Sequence, residues 1–365
     1  MAITKIPAAG FTGNNFRNII INGDMSIAQR GTSETGVTTT GYYTTDRWRT
    51  AIGTLGTWTM SQDTDVPTGQ GFATSMKFDC TTADASPAAG DAFILNQYVE
   101  GQNLQYLKKG TANAQSLTCS FWVKSNKTGT YILELRDDNN RTISKSYTID
   151  ASNTWEKKTI TYDGDTTGTI DNDNTTGLEV NFWLGAGSTY TSGTLQTSWD
   201  SVTNANRAVG QVNLADSTAN NFWITGVQLE AGTTASDFEF LPYDVNLQRC
   251  QRYYWHFWSK DEAAANGAIM GTAIYTSGTT LYMVGQYVTQ MRATPSLDQT
   301  SGTNYYRTIS GDQLDDFVLQ TDAANKSTNK GYQLYNNTDA SGTAGNSTPV
   351  RCNNTDAYVA FDAEL

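Results

Sequence analysis

Protein sites that hold sugars lay a flat aromatic ring against the C–H face of the sugar and set carboxylate, amide or guanidinium groups at its hydroxyls. This sequence carries that chemistry in quantity, with 19 Tyr, 13 Phe and 9 Trp. The aromatic candidates for ligand contact are Tyr42 and Tyr43 with Trp48, then Trp122, Trp183 and Trp223, and, late in the chain, Tyr305, Tyr306, Tyr332 and Tyr335. The competing reading is packing, because most Trp and Tyr side chains of a β protein fill cores or interfaces.

A second kind of chemistry is cation binding. The stretches Asp163-Gly164-Asp165 and Asp171-Asn172-Asp173-Asn174 place oxygen ligands close together in sequence, so Asp163, Asp165, Asp171 and Asp173 are the candidates for a structural calcium. Counted as an EF-hand loop from Asp163, position 5 is Thr167 and position 12 is Asn174 instead of Glu, so that motif fails. The alternative is acidic turn residues bonding their own backbone. No cofactor is required by anything else in the chain. Catalysis has less support. The single histidine, His256, lies in Tyr253-Tyr254-Trp255-His256-Phe257-Trp258 and reads as a packed residue, and no Ser/His/Asp set can be assembled around another one. A glycosidase needs only two carboxylates about 5–9.5 Å apart, a condition that 36 acidic residues leave open.

The elements that must position these groups are strands. Charged residues make up only 16% of the chain and hydrophobic ones 38%, with 11% aromatic and 32 Gly; Thr, Tyr, Trp and Val suit half-buried strands and Gly supplies turns and bulges. The fold class is all-β, an antiparallel jelly-roll β-sandwich, a short linking helix and a second, smaller β-sandwich. Three strands share one pattern, Phe121-Trp122-Val123, Phe182-Trp183-Leu184 and Phe222-Trp223-Ile224. Strand side chains alternate faces, so Phe and the aliphatic residue point into the core and each Trp points away. The Trp side then needs a loop, a subunit or a sugar to cover it. Further strands are expected at 19–21, 48–50, 57–61, 75–79, 131–136 and 155–162, and in the last part at 268–275, 280–287, 305–310, 332–335 and 358–361, while the mostly apolar 92–99 fits a strand or a short helix. The domain boundaries are an arm at 1–17, a jelly roll at 18–243, a linking helix at 244–258 with Asp244 as N-cap, and a C-terminal β domain at 259–365 whose loops 321–330 and 336–349 form a distal tip.

The net charge of -12 disfavours nucleic acid, and no apolar run approaches the ~20 residues of a membrane span. The start of the sequence has no apolar signal-peptide core. The four cysteines, Cys80, Cys119, Cys250 and Cys352, show no metal-type spacing and read as buried thiols.

Two segments carry a family resemblance. Residues 18–48 read NIIINGDMSIAQRG and then YYTTDRW, and residues 221–258 read NFWITGVQLEAG, then F-x-x-x-PY and L-x-x-CQRYY. In that order they resemble the carbohydrate-binding-module-like domain of bacteriophage tail fibres and related virion appendages. The resemblance implies a jelly roll, attachment to a host cell-surface polysaccharide by multivalent non-catalytic binding, a homotrimer, and an arm that joins other virion proteins. It implies a virion protein made in the host cytoplasm without a signal peptide. Jelly rolls of this kind often carry calcium near their first and last strands, which would involve Asp24 or Glu230. Two other classes remain: a purely structural virion component, such as a head decoration or connector, that binds protein, and a glycan depolymerase. Fibre depolymerases resemble long parallel β-helices with Gly-punctuated repeats, and this sequence shows none.

Overall fold

The structure, a computed structural model, describes residues 16–258, 268–321 and 326–365. The expected arm at 1–17 lies outside the described residues except for Phe16 and Arg17, and so does the centre of the 321–330 loop. The chain forms two compact units, one ending at Leu241 and one running from Pro242 to Leu365; the short segment Ile27–Gly31 belongs to the second.

The first unit is an antiparallel β-sandwich of jelly-roll type. One sheet has six strands in the order Ser33–Val37, Thr57–Asp63, Ser75–Thr82, Asn221–Ala231, Leu117–Ser125 and Glu156–Tyr162. The other has seven, in the order Asp200–Ser201, Arg141–Ile149, Gly129–Asp137, Thr176–Ala186, Ala92–Glu100, Arg49–Gly53 and Gly41–Tyr42. Phe121, Val123, Phe182, Leu184, Phe222 and Ile224 all enter the core between the sheets, as period-two alternation requires. The Arg141–Ile149 strand was not anticipated, because its inward Ile143, Tyr147 and Ile149 are interleaved with Ser, Thr and Lys.

Residues 19–21 are not a strand. Asn18 ties this segment down in place of a ladder: its Oδ1 accepts from the amides of Ile20 (3.0 Å) and Leu229 (3.1 Å) and its Nδ2 donates to the Val227 carbonyl (3.1 Å). The backbone then turns at Asn22 and Met25, whose φ angles of 57° and 59° lie in the left-handed region.

The second unit packs a three-stranded sheet (Tyr254–Trp258, Val359–Asp362, Ser296–Gln299) and a seven-stranded sheet around one core. The edge strands of the larger sheet, Gln313–Leu314 and Val318–Leu319, are separated by residues 315–317 alone. Such a link spans at most about 14 Å, so this sheet curls back toward its own first strand. The expected helix at 244–258 is corrected. The helix is Tyr243–Gln251 with Pro242 at the N-cap and Asp244 in its first turn; Tyr254–Trp258 is a strand, and Trp255 stacks on its cross-strand partner Phe361 with centroids 5.7 Å apart. Adjacent aromatics gain more from a pleated surface with partners on both faces than from a helix.

His256 is packed in this sheet: Nδ1 donates to the Gln29 carbonyl (2.6 Å) and the ring lies edge-on to Tyr358. Arg30 stacks on Tyr254 at 3.6 Å and pairs with Asp362 (3.1 Å) and Glu364 (3.4 Å). All four cysteines are free and buried. Among the described residues no helix is long and apolar enough to cross a membrane.

Candidate functional site

The seven-stranded sheet of the first unit turns its second face outward, and cross-strand pairing aligns the outward side chains into rows. One row runs Tyr42, Arg49, Asn96, Asn181, Glu134, Ser144. The next runs Tyr98, Glu179, Arg136, Thr142. On the other side of the first row Ala51, Ile94 and Trp183 are apolar, and Ile132 packs with them.

The apolar row is covered by a strap, residues 187–212, which lays Tyr190, Leu195 and Ala208 over Ile94, Ile132 and Trp183. Its anchor is a buried ion pair. Arg207 donates from Nε and Nη2 to the two oxygens of Glu134, both at 2.8 Å, and Glu134 also accepts from Thr142 (2.8 Å), Trp183 Nε1 (3.1 Å) and Asn181 (3.3 Å). Trp183 is therefore fully buried, which corrects its place among the ligand candidates: a loop supplies the cover its side of the strand required.

Beyond the strap the face stays open and polar. Arg49 Nη1 donates to the Tyr98 hydroxyl (2.8 Å) with its guanidinium 5.2 Å from the ring, and Arg136 lies 3.9 Å from Glu179. Burial pushes both the Glu179 carboxyl and the Tyr98 hydroxyl above their ordinary values. Beneath these side chains Asn96 and Asn181 form a floor only 3% and 1% exposed. Asn96 Oδ1, Asn181 Oδ1 and Arg136 Nε are buried without a hydrogen-bond partner. Each such group costs about 1–3 kcal/mol while it has no partner, a cost that a ligand hydroxyl or a water reaching it would remove. An aromatic ring, two guanidiniums, a carboxylate and unspent amide oxygens on one pleated surface suit a polyhydroxylated ligand.

Glu134 and Glu179 both accept from the Asn181 amide, at 3.3 and 3.2 Å, so two carboxylates do stand close together. They do not form a hydrolytic pair. Glu134 is 0% exposed and held by Arg207 on both oxygens, whereas glycoside hydrolysis requires both carboxyl groups to face the scissile bond.

No protein-family model matches this chain, and no curated protein does. Among solved structures it is similar to the enzymatically active domain of tailspike protein 4 of bacteriophage CBA120, with 15% identity, a TM-score of 0.32, and coverage of 59% of this chain and 21% of that one. It is also similar to the carbohydrate-binding module TmCBM61 solved with β-1,4-galactotriose, at 13% identity, 0.31, and 59% and 99% coverage. A putative sugar-binding protein from Bacteroides thetaiotaomicron gives 14% identity, 0.33, and 59% and 99% coverage. This chain spans only 21% of the length of the tailspike domain.

The other candidates do not gather at this face, apart from Tyr42 in its first row. Tyr43 is bonded through its hydroxyl to Thr39. Trp122 is half-buried on the outward side of the six-stranded sheet. The neighbouring Trp223 lies under two lysine ammonium groups, with Lys124 Nζ at 4.3 Å and Lys77 Nζ at 5.1 Å from its ring centre.

In the second unit two tyrosines are corrected to core residues. Tyr306 is 0% exposed with its hydroxyl donated to the Tyr358 carbonyl (2.6 Å), and Tyr332 packs among Trp255, Phe257, Tyr287 and Phe361. Both sit on the inward phase of their strands, and period-two alternation alone does not say which face is the core. Tyr305 is half-buried against that core. Tyr335 lies outside, beside Tyr282.

In the acidic loop two of the four candidate carboxylates are bonded within the protein. Asp165 is held by Arg141 (2.7 and 3.0 Å) and Lys109 (2.9 Å); burial alone would raise its carboxyl, but these bonds outweigh it and hold it well below the ordinary range. Asp173 bonds the amide and hydroxyl of Thr175. Asp163 and Asp171 offer backbone carbonyls, to Trp199 and Gln105. Among the described residues no group of three or more His, Cys, Asp or Glu is set to hold a metal. EDTA is expected to leave the melting temperature unchanged by calorimetry; a fall of several degrees would restore calcium to the account.

Proposed function

We propose that this protein is a bacteriophage tail fibre or similar virion appendage that attaches to host cell-surface glycan by multivalent, non-catalytic binding. In this reading it is a homotrimer whose residues 1–17 engage other virion proteins. The motif pair at 18–48 and 221–258 supports the family. The observation that carries glycan binding is the open polar face beside the strap, where Tyr98, Arg49, Arg136 and Glu179 surround amide oxygens that have no partner. The burial of Glu134 supports the non-catalytic character.

The test is adsorption competition. Bacterial cells coated with purified protein are challenged with the phage, and free particles are counted over time. Blocked adsorption, with polysaccharide chain length unchanged after incubation, is the expected result. Unimpeded adsorption with no protein retained on the cells would move the protein to a structural role in the particle, and shortened polysaccharide would make it a depolymerase.

A further inference from the structure

The second unit leaves an apolar surface that its own chain does not cover. Pairing in the seven-stranded sheet places Ile274 opposite Tyr282, Tyr282 opposite Tyr335, and Tyr335 opposite Val318, one outward row across four strands. Ile274 is 46% exposed and Val318 44%. In the adjoining row Val284, 68% exposed, faces Gln333. The Tyr282 and Tyr335 rings lie 5.7 Å apart and tilted by 30°. In the first unit, by contrast, the exposed large hydrophobics are the aromatics Phe16, Tyr106 and Phe240, with no large aliphatic among the described residues. β-Branched aliphatics held this open on a packed sheet mark a contact surface.

We infer that this row, Ile274–Tyr282–Tyr335–Val318 with Val284 beside it, is where one copy of this chain meets another. The inference rests on the homotrimer reading above and gives it a surface. Charge selects the occupant. Each copy carries -12, so two copies repel through most of their surfaces, and they approach at least cost where neither presents a charge. None of the six side chains named is Asp, Glu, Lys, Arg or His. A sugar is a poorer fit, because the ring pair is flanked by Ile and Val and only Gln333 offers an amide for hydroxyls. In the first unit the strap covers Trp183 and the ammonium groups of Lys124 and Lys77 lie over Trp223, which leaves Trp122 half-buried.

The test is molar mass by light scattering at micromolar concentration for the wild-type chain, for Ile274→Asp/Val284→Asp and for Ile274→Ser/Val284→Ser. Both positions face water in the single copy, so the fold is retained, and circular dichroism checks that it is. The expected result is a multimer for the wild type, a monomer for the Asp pair, and a concentration-dependent mixture for the Ser pair. A monomeric wild type, or an Asp pair that keeps the full mass, overturns the inference. So does an unchanged mass accompanied by lost cell binding, which would make the patch a ligand surface. If the Asp pair becomes monomeric while the wild type retains no glycan, this inference stands and the attachment reading falls. If glycan is bound and the mass never changes, the reverse holds.

Discussion

Replacing Glu134 by Ala is expected to lower the melting temperature of the first unit by on the order of 10 °C, with the strap at 187–212 released well below that point. Glu134 is fully buried and accepts from Arg207, Thr142, Trp183 and Asn181. Removing the carboxylate strands the Arg207 guanidinium at 9% exposure and frees three donors at once. Breaking a buried pair in this way costs about 3–5 kcal/mol, and a unit of this size shifts by roughly 2–4 °C per kcal/mol. The pair itself is not the point, because its desolvation offsets much of its attraction. The double change Glu134→Leu/Arg207→Met should therefore recover the part of the loss owed to the stranded guanidinium but not the part owed to Trp183 Nε1, which still lacks its acceptor, and a double-mutant cycle by calorimetry separates the two. Hydrogen exchange locates the effect: the Ala208 amide, bonded to the Tyr190 carbonyl within the strap, should lose protection first. A single-variant cost below about 1 kcal/mol would show that apolar packing on Trp183, not the ion pair, holds the strap.

The strap also shows where sequence reasoning stops. Phe121, Phe182 and Phe222 and their aliphatic partners declared the core face through alternation, and the need for a cover over each Trp followed from the same period. What would cover it did not follow, because a strap held by Arg207 on Glu134, 73 residues apart, leaves no local pattern. The floor and rim were written in alternation too. Glu179-x-Asn181-x-Trp183 and Asn96-x-Tyr98 interleave polar and aromatic residues with Leu178, Val180, Phe182, Leu95 and Val99. That they form one surface depends on the Thr176–Ala186 and Ala92–Glu100 strands being neighbours, a long-range pairing that neither segment announces. Tyr306 and Tyr332 failed for the complementary reason: alternation gives two faces and does not say which is inside. The helix expected through residue 258 ended early because the Trp255–Phe361 stack comes from a strand a hundred residues away.

Tyr98→Ala should separate binding by one site from binding by the assembly. Tyr98 supplies the ring of the site, held by Arg49 through its hydroxyl and its face, and it is half-buried on the outward side of its strand, so its loss leaves the core between the sheets intact. An aromatic contact of about 1.4 kcal/mol corresponds to a tenfold loss of affinity per site. Soluble oligosaccharide, which meets one site at a time, should therefore bind about tenfold more weakly by calorimetric titration. Retention on whole cells should fall by up to about 10³-fold, because three linked sites each lose the same factor. The monomeric Ile274→Asp/Val284→Asp chain should show the opposite split, with unchanged affinity for oligosaccharide and poor retention on cells. Trp122→Ala, on the other sheet, should change neither. Equal losses for Tyr98→Ala in the two assays would mean that the sites act singly. No loss in either would remove this face from the binding account, since a ring that contacts the sugar cannot be deleted without effect.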